Sequence, residues 1–484
     1  MIILTVTVGC ETYIVLAIPA SNIGSIIEPG GLAIGCDYYI FHDGPNTNVT
    51  LAKDCDTSAI LYKETTTTAI LNDVLGAICT SPAPNPLPPG GIGQGAQFRI
   101  EFGTGAFFIT STITINCPNN AGNGSGNAMT WWGQGEDKTT LILAKGVNGD
   151  MFSVTSIGDK FELHDIKFFG TKSGQSGTSY AFNFQTTDTG GEFIWSHNEF
   201  RDWLTGGVRF AQSGKQWNVF IDNWFLTSPI GVDYENKQND IRFVGNKFGT
   251  GVDVAGAGMI GIKFASNDNP TNDNGRVVIS ANIFDDAGIL FNSNATRTVA
   301  ITGNIFVHAP TKTIDYEGIG LTALGNQNAI ISSNLFSAKV NTNVAVYLAD
   351  YVDAVTVTAN QFANYTSSTT VPVTLIQTHQ KLSTLVTQNS GMGSFWTGFG
   401  ISQPAVPATG VDQQNTNPFQ ARIYITGTGT GITAYKITDP SGTSNTFTTT
   451  VSIGFTIELD PYAKVALTFT GAPTWKWYGE ANLS

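Results

Sequence analysis

Val277-Val-Ile-Ser-Ala-Asn-Ile-Phe284-Asp-Asp-Ala-Gly-Ile-Leu-Phe291 is one copy of a unit whose repetition decides how this chain folds. The unit reads as an apolar strand, an Asn-x-Phe step, a loop, and a second strand of the form Gly-apolar-x-apolar. The Asn-x-Phe step recurs at Asn198-Glu-Phe200, Asn223-Trp-Phe225, Asn246-Lys-Phe248, Asn282-Ile-Phe284, Asn304-Ile-Phe306, Asn334-Leu-Phe336 and Asn360-Gln-Phe362. The glycine strand recurs at Gly207-Val-Arg-Phe210, Gly231-Val-Asp-Tyr234, Gly261-Ile-Lys-Phe264, Gly288-Ile-Leu-Phe291 and Gly318-Ile-Gly-Leu321, with Asp165-Ile-Lys-Phe168 as a degenerate earlier copy. The steps lie 22 to 36 residues apart. A period in that range signals a solenoid, in which each coil buries its apolar face only by stacking on its neighbours. Three short strands per coil need roughly 20–25 residues, which fits a parallel β-helix. Asn is expected at a tight turn, in the left-handed conformation and bonded to the Asn of the next coil, with Phe two residues on stacked inside. A leucine-rich repeat lacks its Leu consensus here, and a propeller lacks its Trp-Asp step.

Working outward, Gly103-Thr-Gly-Ala-Phe-Phe-Ile-Thr-Ser-Thr-Ile-Thr-Ile115 alternates as a half-buried strand should. Ser81 to Gly91 is a Pro/Gly-rich break. Before it, residues 1–88 form a head with short strands and one helix over 67–78, where Ile70, Leu71, Val74, Leu75 and Ile78 recur at helical spacing. The β-helix is expected over 89–385 and a linker over 386–416. Residues 417–484 alternate densely enough for five or six strands of a small β-sandwich or barrel. Trp475 and Trp477, on one side of a strand, fit a core or an interface.

The fold class is therefore all-β. Charged residues make up 13% of 484, about half the usual share, so the surface is carried by Thr, Asn, Ser and Gly, as suits an extracellular protein. The net charge of −13 and the absence of a basic run argue against nucleic acid. The five cysteines all precede residue 118 and include no Cys-x-x-Cys pair, so they suggest no metal site; one or two disulfides and buried free thiols both remain open. The apolar start lacks a basic flank and reads as a strand rather than an export signal, and no stretch is long enough for a membrane span.

Phe98 to Leu143 resembles the first coils of the pectate-lyase-like right-handed parallel β-helix superfamily, through Gly105-Ala-Phe-Phe-Ile109, Ile113-Thr-Ile115 and Gly133-Gln-Gly-Glu-Asp-Lys-Thr-Thr-Leu141. The helix before it resembles the cap that closes such a solenoid, and the whole layout looks like viral tailspike and tail-fibre proteins, from phages or archaeal viruses. The resemblance implies a particle-binding head, a glycan-contacting solenoid and a homotrimer. Lyases of this fold use acids that hold calcium and an Arg or Lys base, and related hydrolases use clustered aspartates with Gly-His-Gly. This chain has no Gly-His-Gly, Asn-Thr-Asp or Arg-x-Pro-x-x-Arg, and its histidines are scattered. No cofactor and no metal are expected.

Stacking the repeats gives the candidate catalytic residues. Arg209, Asp233 and Lys263 fall in one outward column; Asp286 falls above His308, with Asp285 adjacent. Paired carboxylates can cleave a glycosidic bond at a suitable separation; a surface ion ladder would look the same in sequence. Trp195, Trp203, Trp217 and Trp224 are candidates for stacking on sugar rings, against a role in packing. Asn48, Asn123, Asn294, Asn364 and Asn482 begin glycosylation sequons. Together these point first to a virion spike or fibre at the particle surface, attached to other virion proteins through residues 1–88 and binding host-surface glycan. A polysaccharide lyase or glycoside hydrolase on the same fold is the alternative, and a cellular surface adhesion protein is a third.

Overall fold

The structure, a computed structural model, describes residues 2–8, 11–18, 36–44, 49–80, 97–117, 128–157, 160–185, 192–212, 215–235, 238–249, 258–264, 275–291, 297–310, 312–316, 328–338, 343–348, 355–365, 373–375, 385–387, 389–390, 404–416, 420–429 and 431–479. Three long sheets run along the molecule, one of 14 strands (sheet I) and two of 10 (sheets II and III). Each coil gives one strand to each sheet in turn: Gly275–Ser280 to sheet I, Ile283–Asp285 to sheet II and Ala287–Phe291 to sheet III. Strands one coil apart pair in parallel and in register, so Phe225, Phe248, Phe284, Phe306, Phe336 and Phe362 lie directly above one another. This is the right-handed parallel β-helix that the repeats predict, with the hand that parallel crossovers take.

Alternation along each strand decides what is inside. The phenylalanines of sheet II stack with ring centroids 4.7–5.2 Å apart, close to the spacing of paired strands. Phe184, Phe210, Tyr234, Phe264 and Phe291 make a second stack in sheet III. The glycines Gly207, Gly231 and Gly261 of sheet III lie against the first stack. A Cβ on Gly231 would lie 2.4 Å from the carbonyl oxygen of Gly261 and 2.9 Å from the Phe248 ring. Phe in one sheet and Gly in the next therefore recur together.

The corner between sheets I and II differs from expectation in one respect. The left-handed residue is the one before each Asn: Asp165, His197, Asp222, Gly245, Ala281, Gly303, Ser333 and Ala359 have φ between 52° and 72°. The Asn itself is buried and builds a ladder. Asn282 Nδ2 donates to Oδ1 of Asn304 at 2.9 Å and to the carbonyl of Phe243 at 3.0 Å, while its own Oδ1 accepts from the backbone N–H of Asn246 at 2.8 Å. The same pattern runs from Asn198 to Asn389. Ile166 stands in the Asn place one coil earlier, so Asp165-Ile-Lys-Phe168 is a copy of the Asn-x-Phe step and not of the glycine strand. In a later coil the sheet III strand is Lys312–Tyr316, and Gly318-Ile-Gly-Leu321 lies outside the described residues.

At one end, the antiparallel strands Tyr38–His42, Thr50–Asp54 and Ile60–Glu64 extend sheet I, the first of them pairing in parallel with Gln97–Phe102. Part of the expected head is thus continuous with the solenoid. The helix Thr67–Thr80 is capped by Thr66 Oγ1, which accepts from the Ala69 N–H at 3.2 Å, and buries Ile70, Leu71, Val74, Leu75 and Ile78 in the core that the first coils share. Disulfides join Cys36 to Cys55 and Cys79 to Cys117, the second tying the helix to the first coil; Cys10 lies outside the described residues. Beyond the solenoid, a four-stranded and a three-stranded antiparallel sheet form the C-terminal β-unit, with Trp475 and Trp477 buried in it. Residues expected as linker belong to this unit: Gln413–Gln414 pairs with Lys464–Phe469, and the Pro404 carbonyl accepts from Trp475 Nε1 at 2.7 Å.

Candidate functional site

The middle residue of each Asn-x-Phe step points outward, so successive copies write a column on the outer face of sheet II. In the early coils it reads Lys167, Glu199, Trp224, Lys247. Glu199 is almost fully buried, with Lys167 Nζ at 3.0 Å and Arg201 Nη1 at 3.2 Å from its Oε1. Neither approach has the direction of a hydrogen bond at Oε1, so both are electrostatic. Trp224 lies one coil above and is 41% exposed, with Lys247 Nζ 5.6 Å from its ring centroid. The Glu136 carboxyl is pushed up by burial and then by the Glu199 charge, against the pull of Lys167 and His197. An open indole face beside carboxylates and ammonium groups can stack on the apolar face of a sugar and bond its hydroxyls.

A second cluster lies on the outer face of sheet III, where Arg209, Asp233 and Lys263 stand in register as the repeats predict, with Asn183 one coil before them. Asp233 faces outward yet is only 1% exposed. Its Oδ2 accepts from Tyr180 Oη at 3.0 Å and Lys263 Nζ at 3.2 Å, and its Oδ1 has no hydrogen-bond partner among the described residues. Arg209 pairs with Glu235 at 2.5 Å and lies 5.7 Å from the Tyr180 ring. Asp150 accepts from Asn183 Nδ2 at 2.7 Å and from the Tyr180 N–H at 2.9 Å. Burial pushes the carboxyls of Asp233 and Asp150 up, against Lys263 for the first and Asn183 for the second. Two acids held toward their protonated forms are suited to giving and taking protons.

The other sequence candidates separate. Asp285, not Asp286, meets His308, with Oδ1 and Nδ1 2.9 Å apart on the exposed surface. Asp286 is buried at a left-handed corner (φ 51°), where its carbonyl accepts from the Met259 N–H. Trp195 and Trp203 are fully buried, the first stacked on Phe220 and the second donating to the Phe168 carbonyl, so neither ring can meet a sugar. Trp217 is 51% exposed on sheet I, between Glu192 and Asp240. Of the sequons, Asn364 is exposed; Asn48, Asn123, Asn294 and Asn482 lie outside the described residues.

Sequence reasoning missed Glu136, Lys167, Glu199 and Arg201, as well as Asp150, Tyr180 and Glu235. The first group was within reach, because the middle letter of each step is the outward one. It also missed a polar group on sheet I, where His164 lies 2.5 Å from Ser196 Oγ and 3.6 Å from Glu162 Oε2. Among the described residues, no three His, Cys, Asp or Glu side chains converge as a metal site. No helix among them is long and apolar enough to cross a membrane.

No protein-family model matches the sequence, and no curated protein matches it. Among solved structures, the chain is similar to ORF18 of Geobacillus virus E2 (13% identity, TM-score 0.42, covering 86% of this chain and 84% of that one). It is similar to the enzymatically active domain of tailspike protein 4 of bacteriophage CBA120 (13% identity, TM-score 0.33), covering 79% of this chain and 63% of that one. It is also similar to a double mutant of the tailspike protein of E. coli bacteriophage HK620 (9% identity, TM-score 0.22, 85% of this chain and 88% of that one). The strand pairing of the chain itself, rather than these distant likenesses, establishes the fold.

Proposed function

We propose that this chain is a surface spike or fibre of a virus particle that attaches to glycan on the host surface. The observation that carries the proposal is the outward column Lys167–Glu199–Trp224–Lys247, an exposed aromatic face set among fixed charges on a rigid solenoid. The low charge content and the two disulfides suit an oxidising exterior. In this proposal residues 1–88 hold the chain to other virion proteins, 89–385 present the glycan site, and 417–484 trimerise the chain or bind a receptor. A glycan array probed with the whole chain tests it. Trp224→Ala should lower binding at least tenfold, while Trp195, buried, offers no such contact. Binding unchanged in Trp224→Ala would remove the site.

The sheet III cluster supports a second reading, a lyase or hydrolase of the same glycan, because Asp233 and Asp150, both pushed up by burial, lie beside Tyr180 and Arg209. It predicts release of reducing ends from a bound polysaccharide, lost in Asp233→Asn. Release that survives in that variant, or no release from any bound glycan, would end this reading.

A further inference from the structure

The outer face of sheet I carries a group of polar side chains apart from the clusters on sheets II and III. Lys160, Glu162 and His164 alternate outward along one strand, and Ser196 stands beside His164 on the next coil. Ser196 Oγ lies 2.5 Å from His164 Nδ1. On the other side of the ring, Glu162 Oε2 lies 3.6 Å from Nε2. A hydroxyl, an imidazole and a carboxylate thus follow one another in the order that nucleophilic catalysis requires.

The surroundings hold each member in place. Trp132, one coil before His164, stacks on the imidazole with centroids 4.5 Å apart, and the Arg99 guanidinium lies 4.5 Å from an indole centroid of the same Trp132. This stack fixes the plane of the imidazole. Glu162 is held by Lys160 Nζ at 2.8 Å and by Thr130 Oγ1, which donates to it at 3.1 Å. Its carboxyl is held down to about 2, by His164 first, so it is charged at neutral pH. A negative charge beside Nε2 favours the tautomer with its proton there, which leaves the Nδ1 lone pair toward Ser196.

Beyond Ser196 the same face turns apolar. Ile221 and Val244 continue the column of Ser196, and Ile194 and Val219 continue the column of Glu162. All four are open at least in part to solvent. A serine between a charged patch and an aliphatic one suits an ester with an apolar acyl group and a polar alcohol. We propose that Ser196 and His164, with Glu162 as positioning residue, hydrolyse carboxylic esters of short apolar acids. This activity goes beyond the attachment role and does not rest on it.

In the first step Ser196 Oγ attacks the ester carbonyl and its proton moves to His164 Nδ1. The bond from the carbonyl carbon to the alcohol oxygen then breaks, Nδ1 gives its proton to the leaving alkoxide, and an acyl-serine remains. Water attacks the acyl-serine and loses a proton to Nδ1, which returns it to Ser196 Oγ as the carboxylic acid leaves.

Two measurements on the whole chain test the proposal: release of p-nitrophenol from p-nitrophenyl acetate, and the site of labelling by a fluorophosphonate, mapped by mass spectrometry. The label should fall on Ser196. Ser196→Ala should abolish release, and His164→Ala should lower it about a hundredfold or more. Glu162→Gln should lower kcat at least tenfold and leave KM unchanged, a split that partial unfolding would not produce. Ser280→Ala, in the same column but between Val244 and Thr302, should change neither release nor labelling. Release that is equal in Ser196→Ala and the unaltered chain overturns the proposal, as does a label that falls elsewhere or on no residue.

Discussion

The coils around Phe225 and those around Phe306 are nearly the same molecule inside and different molecules outside. Both stack Phe on Phe and run the same Asn ladder. Outside, the early coils carry Lys167, Glu199, Trp224 and Lys247 where the later ones carry Ile283, Ile305 and Leu335. Strand alternation separates the two tasks. Every second side chain must fit the coils above and below; the others are free to vary, and any site must be sought among them.

If the interiors are equivalent, breaking them should cost the same in either half. Phe225→Ala and Phe306→Ala each remove one ring from a continuous stack and should each cost about 3–5 kcal/mol. Thermal melting with hydrogen exchange resolved along the chain would check this, because a solenoid can open locally. A large loss in one half and almost none in the other would mean that the stack does not bear on both alike. One step smaller, Asn223→Ala and Asn334→Ala strand the buried N–H groups of the rungs below and should cost about 2–3 kcal/mol each. The same exchange experiment should show protection lost in the neighbouring coils in both variants.

Much of this was legible in the sequence, for a physical reason. A ring that must stack on its own kind appears as the same letter at each period, so Phe225 to Phe362 announced the solenoid. The Asn ladder was visible too, but its geometry was not: the left-handed strain falls on the preceding residue, which varies from Asp to Ala. The tryptophans show the limit more sharply. Trp195 and Trp224 are equally suited to a sugar by composition, and only strand parity, inward for one and outward for the other, separates them. Asp150 and Glu136 lie in loops between strands, where no period indicates what they face.

The two halves should also differ in acid, through a group that only the early coils carry. His164, then Lys160 and Thr130, hold the Glu162 carboxyl down to about 2 against the cost of burial. A carboxylate whose folded pKa lies below its unfolded value stabilises fully above the unfolded pKa of about 4.5, and that contribution is lost as pH falls toward 2. Discounted for its partial exposure, the effect is about 1–2 kcal/mol. Asp233, pushed up by burial, acts with the opposite sign: its penalty is absent at low pH and grows as pH rises above 3.8. Glu162→Gln should therefore flatten the fall of melting temperature between pH 5 and pH 2, as followed by circular dichroism, and a profile identical to the parent would show that Glu162 gains nothing from folding.

The smallest effect bears most directly on why the corner differs between the halves. Ala281→Asp should raise the stability of the chain by about 0.5–1 kcal/mol, because Asp accepts the left-handed conformation more readily than Ala. Asp222→Ala, at the same corner in the early coils, should lower it by a similar amount and also removes the 3.8 Å approach to His197. The pair of melting curves tests whether backbone preference alone decides the residue at this corner in both halves. If Ala281→Asp destabilises the chain, the methyl group of Ala281 serves its own coil. If it stabilises the chain, the later corner is held away from the residue that its backbone would select, a departure that the early coils do not share.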